Sequence, residues 1–125
     1  MIIDDHISAI LTVTGIVTAL VVLQFFLPVQ VLRLLSKITI DDEAGLFFAR
    51  HWGLLAFAIG ALLVYAADHA EARQAIMLAA AVEKAGLVGL VVLHAGKPYT
   101  RGLRLAAVFD GVCVLIYGVY LFGAA

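Results

Sequence analysis

Two opposite charges, Glu83 and Lys84, stand near the middle of an apolar run of helical length between Arg73 and His94. A charged side chain at the centre of a bilayer costs about 2.5 to 3.5 kcal/mol on insertion scales, so such residues face protein or water and, as a class, mark ligand, ion or proton sites. Neighbouring residues on a helix point about 100° apart, so Glu83 and Lys84 do not neutralise each other along one surface. Each calls for a partner on another helix. The following apolar run offers one: Asp110, Cys113 and Tyr117 fall at i, i+3 and i+7 and put an acid, a thiol and a phenol on one helical face. Arg50 and His51, followed by Trp52, open the preceding run. Arg50 and Lys84 against Glu83 and Asp110 sum to zero charge.

These residues support several chemistries. A buried ion-pair network would fix helix register and do nothing else. A polar cavity would let Glu83 and Asp110 exchange protons or hold a cation, or let Arg50 and Lys84 bind an anionic head group or carboxylate. On that second reading the candidate ligand-binding residues are Arg50, His51, Glu83, Lys84, Asp110 and Tyr117. His51, Glu83 and Asp110 could also ligate a metal, but no His-x-x-Glu or His-x-x-x-His pair lies on one helix, and no metal site is assigned. A haem between His6 and His69 at one surface, or His51 and His94 at the other, is a further arrangement; three of these lie at helix ends, where interfacial His is ordinary, and no cofactor is assigned. Nucleophile elbow, P-loop and dinucleotide fingerprint are all missing, so enzymatic activity has no positive signal.

The elements that position these groups follow from composition. The chain of 125 residues is 65% hydrophobic and 14% charged, whereas soluble domains carry about 25% charged residues. An integral membrane protein is expected, short enough for one domain over residues 1–125. The single Cys113 excludes a disulfide framework or a Cys-x-x-Cys redox centre within the chain. A net charge of −1 argues against nucleic acid as a partner. Asp4 and Asp5 replace a basic leader, so the first apolar run is read as a retained helix.

Four membrane helices are predicted over about 7–27, 46–67, 72–94 and 103–122, each long enough to cross about 30 Å of hydrocarbon. Pro28 breaks the first, and Val29, Leu32 and Leu35 alternate with Gln30, Arg33 and Lys37 in a short amphipathic segment suited to an interfacial anchor or a lateral gate. Small residues mark close-packing faces: Ser8, Thr12, Gly15 and Ala19 on the first helix, Ala49, Gly53, Ala56 and Gly60 on the second, and Ala79, Gly86 and Gly89 around Glu83 on the third. Gln24 reads as a hydrogen bond between helices. Acids and caps at Thr39 to Glu43 precede the second helix, Gly96 is placed as a C-cap, and Thr100 can cap the fourth helix. Short connections favour an all-α, four-helix antiparallel bundle with an interfacial segment after the first helix.

Arg33, Lys37, Lys97, Arg101 and Arg104 gather at one surface, with only Arg73 at the other. The positive-inside rule then puts both termini outside the cytoplasm, with Trp52 and Tyr99 at the cytoplasmic interface. Counted from the basic side at about 1.5 Å per residue, Arg50 lies roughly 6 Å deep, Asp110 roughly 10 Å, and Glu83 and Lys84 roughly 16 Å, a graded path of charge. The four-helix plan, with Arg50-His51-Trp52-Gly53 opening the second helix and Glu83 inside the third, resembles small bacterial membrane proteins of the DoxX-like kind. That resemblance implies an accessory role beside a membrane oxidoreductase. The functions expected are a small inner-membrane binding or accessory protein, taking a small or lipidic ligand, a partner membrane protein or a second copy of itself, or else a membrane enzyme or proton-coupled carrier using Glu83 and Asp110 as acid and base.

Overall fold

The computed structural model describes residues 2–123, and every regular element among them is helical. Four helices are long and apolar enough to cross a membrane, as a multi-pass protein requires. α1 is Ile7–Phe26, tightened to a 3-10 turn at Leu20–Val22; α2 is Glu43–Ala67; α3 is Ala70–Leu93; α4 is Arg104–Gly123, led in by a 3-10 turn at Pro98–Leu103. A further turn of helix, Ile2–Asp5, precedes α1.

Local chemistry sets the helix ends. α2 begins earlier than expected because Asp42 is its N-cap, Oδ2 accepting the Gly45 N–H at 2.7 Å. Its far end is closed by Arg73 of the next helix, which donates Nε to Ala66 O at 3.0 Å and Nη2 to Ala67 O at 2.9 Å, satisfying carbonyls that a helix end leaves orphaned. Gly96 is not a left-handed C-cap: among the described residues the only positive φ is at Lys37. Thr100 also departs from expectation. Its hydroxyl lies against His94 O at 2.9 Å and Lys97 O at 2.8 Å, so it serves the carbonyls ending α3 rather than the amides opening α4.

α1 packs along the length of α2. A Cβ added at Gly60 would lie 2.4 Å from Ala19 N and 2.5 Å from Gly15 O, and one at Gly53 would lie 2.9 Å from both Val21 O and Phe25 N. Only glycine permits backbones to approach this closely. The approach brings Gln24 Nε2 within 2.8 Å of Ala49 O, to which it donates, and the Ser8 hydroxyl donates to Ala67 O at the other end.

The stripe expected to bury α3 points the other way. Ala79 is exposed, and added Cβ atoms at Gly86 and Gly89 would meet nothing within 4 Å. Met77, Ala80, Lys84 and Val91 are the buried residues instead. The reason is angular: at about 100° per residue, turning Lys84 inward carries Gly86 about 200° around and leaves Glu83 on the shoulder, half-buried.

Beyond α1 the chain turns at Pro28 into a helical turn, Pro28–Val31, and a π turn, Leu32–Ser36. Lys37 closes it in the left-handed region (φ 56, ψ 34), with Ile38 N donating to Leu32 O at 3.1 Å. Leu32 and Ser36 are buried, and Gly102 presses on the Ser36 backbone, where an added Cβ would lie 1.7 Å from Ser36 O. The amphipathic segment is therefore tied to the start of α4 along one side.

Gly60→Ala is expected to lower stability by about 1 to 3 kcal/mol through overpacking against Ala19 and Gly15. Gly86→Ala should leave it within about 0.5 kcal/mol, as an added methyl meets open space. Melting of both variants in detergent checks the pair; equal losses would mean that α3 buries its glycine face.

Candidate functional site

The inward face of α3 carries Lys84, which is 1% exposed. Its Nζ lies 2.9 Å from Asp110 Oδ1 on α4 and 2.9 Å from Thr18 Oγ1 on α1, and stands 5.0 Å from the centre of the Phe109 ring. One ammonium thus joins three helices. The Thr18 hydroxyl is oriented by its own helix, donating to Thr14 O at 2.7 Å and leaving its lone pairs toward the cation.

Over the next two turns of α4, the face carrying Asp110 continues through Cys113 and Tyr117, all buried. Thr14 Oγ1 donates to Ile10 O at 2.7 Å, so the Tyr117 hydroxyl, 2.6 Å away, donates to Thr14 Oγ1. Around this contact lies a dense core: Leu11, Leu63, Ala66, Met77, Ala80 and Tyr117 are each 0% exposed. Toward the basic end, beyond Lys84, the space between α1 and α4 is not filled. It forms a cavity of about 430 Å³ lined mostly by apolar side chains, with Trp52 and Ala56 of α2 among them and Val31, Leu35 and Ser36 forming a wall. Lys84, bonded to Asp110 and Thr18, forms a polar corner with the neighbouring Glu83, and Gln24 and Ser36 add further polar lining. Small-molecule sites span about 300 to 1,000 Å³ and share this balance of apolar walls with a few convergent polar groups.

The corner is unequal in its hydrogen bonding. Lys84 and Asp110 are paired, and Gln24 Nε2 is spent on Ala49 O. Glu83 Oε2 is buried and has no hydrogen-bond partner.

The sequence-predicted residues divide accordingly. Glu83, Lys84 and Asp110 converge on one cavity. Tyr117 lies in the core seam, its hydroxyl engaged by Thr14. Arg50 and His51 are exposed and lie outside the cavity, so the graded path of four charges contracts to three. The cause is again angular: Ala49, Gly53 and Ala56 face α1, and Arg50 and His51 follow Ala49 around the helix and away from it. Thr18 and Phe109 were not singled out from sequence. The signal for Thr18 is its place on the face of Ile7, Leu11 and Gly15, one residue off the small stripe chosen. His6, His69 and His94 each direct Nδ1 to the carbonyl four residues earlier, at 2.9, 2.8 and 2.8 Å. Among the described residues no group of three His, Cys, Asp or Glu gathers as metal ligands.

Comparison of the chain with family models, with curated proteins and with solved structures finds no match.

Removing one member of a buried ion pair strands the other charge at about 3 to 5 kcal/mol, while replacing both by neutral groups of similar volume can be nearly neutral. Lys84→Met and Asp110→Asn are each expected to lower the melting midpoint sharply, and the double variant to recover most of the loss. A double-mutant cycle measures this; additive losses would show that the two side chains act independently.

Proposed function

We propose that the protein is a multi-pass protein of the bacterial inner membrane that binds a small amphipathic or lipidic molecule in the cavity between α1 and α4. The observation that carries this reading is the form of the cavity: about 430 Å³ of mostly apolar space ending at the Glu83, Lys84 and Asp110 corner. An amphiphile matches both parts, with its chain against Leu20, Leu23 and Leu105 and its head at the charges. Those three leucines are 57%, 51% and 81% exposed, so the cavity wall runs out onto the apolar surface of the helices. A ligand dissolved in the bilayer would enter sideways, between α1 and α4.

The cavity lies toward the end of the helices that carries Arg33, Lys37, Lys97, Arg101 and Arg104. By the positive-inside rule that end is cytoplasmic, the site opens toward the cytoplasm, and both termini lie outside it. The outward small face of α3 favours a second use of the same protein, since Gly86 and Gly89 leave room for close approach of a helix from a second copy or a partner membrane protein. The accessory role that the DoxX-like likeness implies would use that face.

Native mass spectrometry of the protein released from mild detergent should show an adduct of small-amphiphile mass. Ala106→Phe, which adds a ring at the cavity wall on an exposed residue, should remove it. An adduct-free spectrum of the native protein would defeat the binding reading, and the same spectra would report a second subunit or partner. The orientation is read separately. A reporter active only in the cytoplasm, fused after Ala125, should be silent, and strong activity would turn the cavity to face the other side.

A further inference from the structure

The cavity's hydrogen-bonding inventory narrows the ligand class, on the assumption that the cavity is a binding site as proposed above. Most donors of the polar corner are directed at protein acceptors, which leaves one N–H of Lys84 Nζ and one of Gln24 Nε2 over. Lys84 Nζ is committed to Asp110 Oδ1 and Thr18 Oγ1, the Thr18 hydroxyl to Thr14 O, and Gln24 Nε2 to Ala49 O. The formal charge of the corner is also unbalanced, since Lys84 meets both Asp110 and Glu83 and Arg50 lies outside. Against that surplus of negative charge, Glu83 also has an oxygen, Oε2, that is buried and without a hydrogen bond.

We infer that the cavity selects a single-chain amphiphile whose head group donates hydrogen bonds, an aliphatic ammonium above all, and rejects anionic heads. A carboxylate or phosphate placed in the corner would meet Glu83 at close range. Lys84, 1% exposed, has only one N–H not spent on Asp110 or Thr18 to offer it, and displacing Asp110 would leave a buried carboxylate without its counter-charge. An ammonium instead completes Glu83, as a charge-assisted hydrogen bond worth about 1.5 to 3 kcal/mol, or roughly tenfold or more in affinity. Phe109 and Trp52 also line the cavity and add aromatic surface suited to a cation next to an alkyl stem.

Trp52 supplies the measurement, because it is the only tryptophan in the chain and lines the cavity. A bromine on the alkyl chain quenches a tryptophan it touches. Three probes with the same brominated chain, ending in a primary amine, an alcohol or a carboxylate, are titrated against the protein in lipid nanodiscs at neutral pH. The amine should quench Trp52 at a concentration at least about tenfold below the carboxylate, with the alcohol between them. In Glu83→Gln the amine should lose its advantage over the alcohol. A carboxylate that quenches as well as the amine, or an unchanged ratio of amine to alcohol in Glu83→Gln, would overturn the head-group inference and leave the binding site standing. Quenching by none of the three beyond that of free tryptophan analogue in the same discs would overturn both. Should Glu83→Gln fail to fold, the order of the three probes on the native protein decides alone.

Discussion

The ion pair between Lys84 and Asp110, 2.9 Å apart and almost wholly shielded, is the constraint from which the other arrangements follow. A cation on the middle of an apolar helix must turn toward an acid on a neighbour, and that choice fixes the rotation of both helices about their axes. On α3 it selects Met77, Ala80, Lys84 and Val91 as the inner face and sends the glycines outward. On α4 it selects Asp110, Cys113 and Tyr117. Such a pair gives little net stability, because desolvation offsets most of the attraction; what it supplies is register, since any other rotation strands a charge in apolar surroundings.

A second constraint acts on α1. Its glycine and alanine positions allow it to lie directly on α2 from Gly15 to Phe25, backbone against backbone. α4 packs mainly on α3, and α1 and α4 are bridged by the Tyr117 to Thr14 hydrogen bond at the core end and by Lys84 near the middle. Toward the basic end no side chain fills the gap between them. The cavity is thus a by-product of two good interfaces that diverge, walled by the segment 28–36, which Gly102 ties to α4 through the Ser36 backbone.

Much of this was legible in the residues. Apolar run lengths place the four long helices, Pro28 marks the break, Asp42 caps α2, and the Gly53 and Gly60 stripe is the α2 contact face. The Asp110, Cys113 and Tyr117 face and a charge partner for Lys84 on another helix also follow from spacing. The failures share one cause. A small stripe states that a helix can be approached closely, not that it is, and on α3 the demand of Lys84 for a partner outweighed it. Arg50 was grouped with the site by its depth along the helix, but depth says nothing about azimuth, and Ala49 and Gly53 had already settled which side of α2 faces inward. Thr18 carried no charge and drew no attention, yet its lone pairs complete the coordination of Lys84.

The arrangement also weighs binding against transport or acid–base chemistry. A carrier that moves a proton or solute across the molecule needs polar groups continuing past the site, or a core that can part. On the side of Lys84 away from the basic end the interior is Leu11, Leu63, Met77, Ala80 and Tyr117, each 0% exposed, with the Tyr117 hydroxyl donating to Thr14. Close-packed apolar side chains of that kind do not conduct charge and yield to bulk only at a cost of about 1 to 3 kcal/mol for each misfit. Acid–base catalysis by two carboxylates needs both to be free to exchange protons with a substrate. Asp110 is held by Lys84 through Oδ1, and Glu83, which lines the cavity, has a buried oxygen without a hydrogen-bond partner. A carboxylate beside an apolar chamber is the arrangement that the proposed binding reading uses, with the charge orienting a head group and the walls taking an apolar chain.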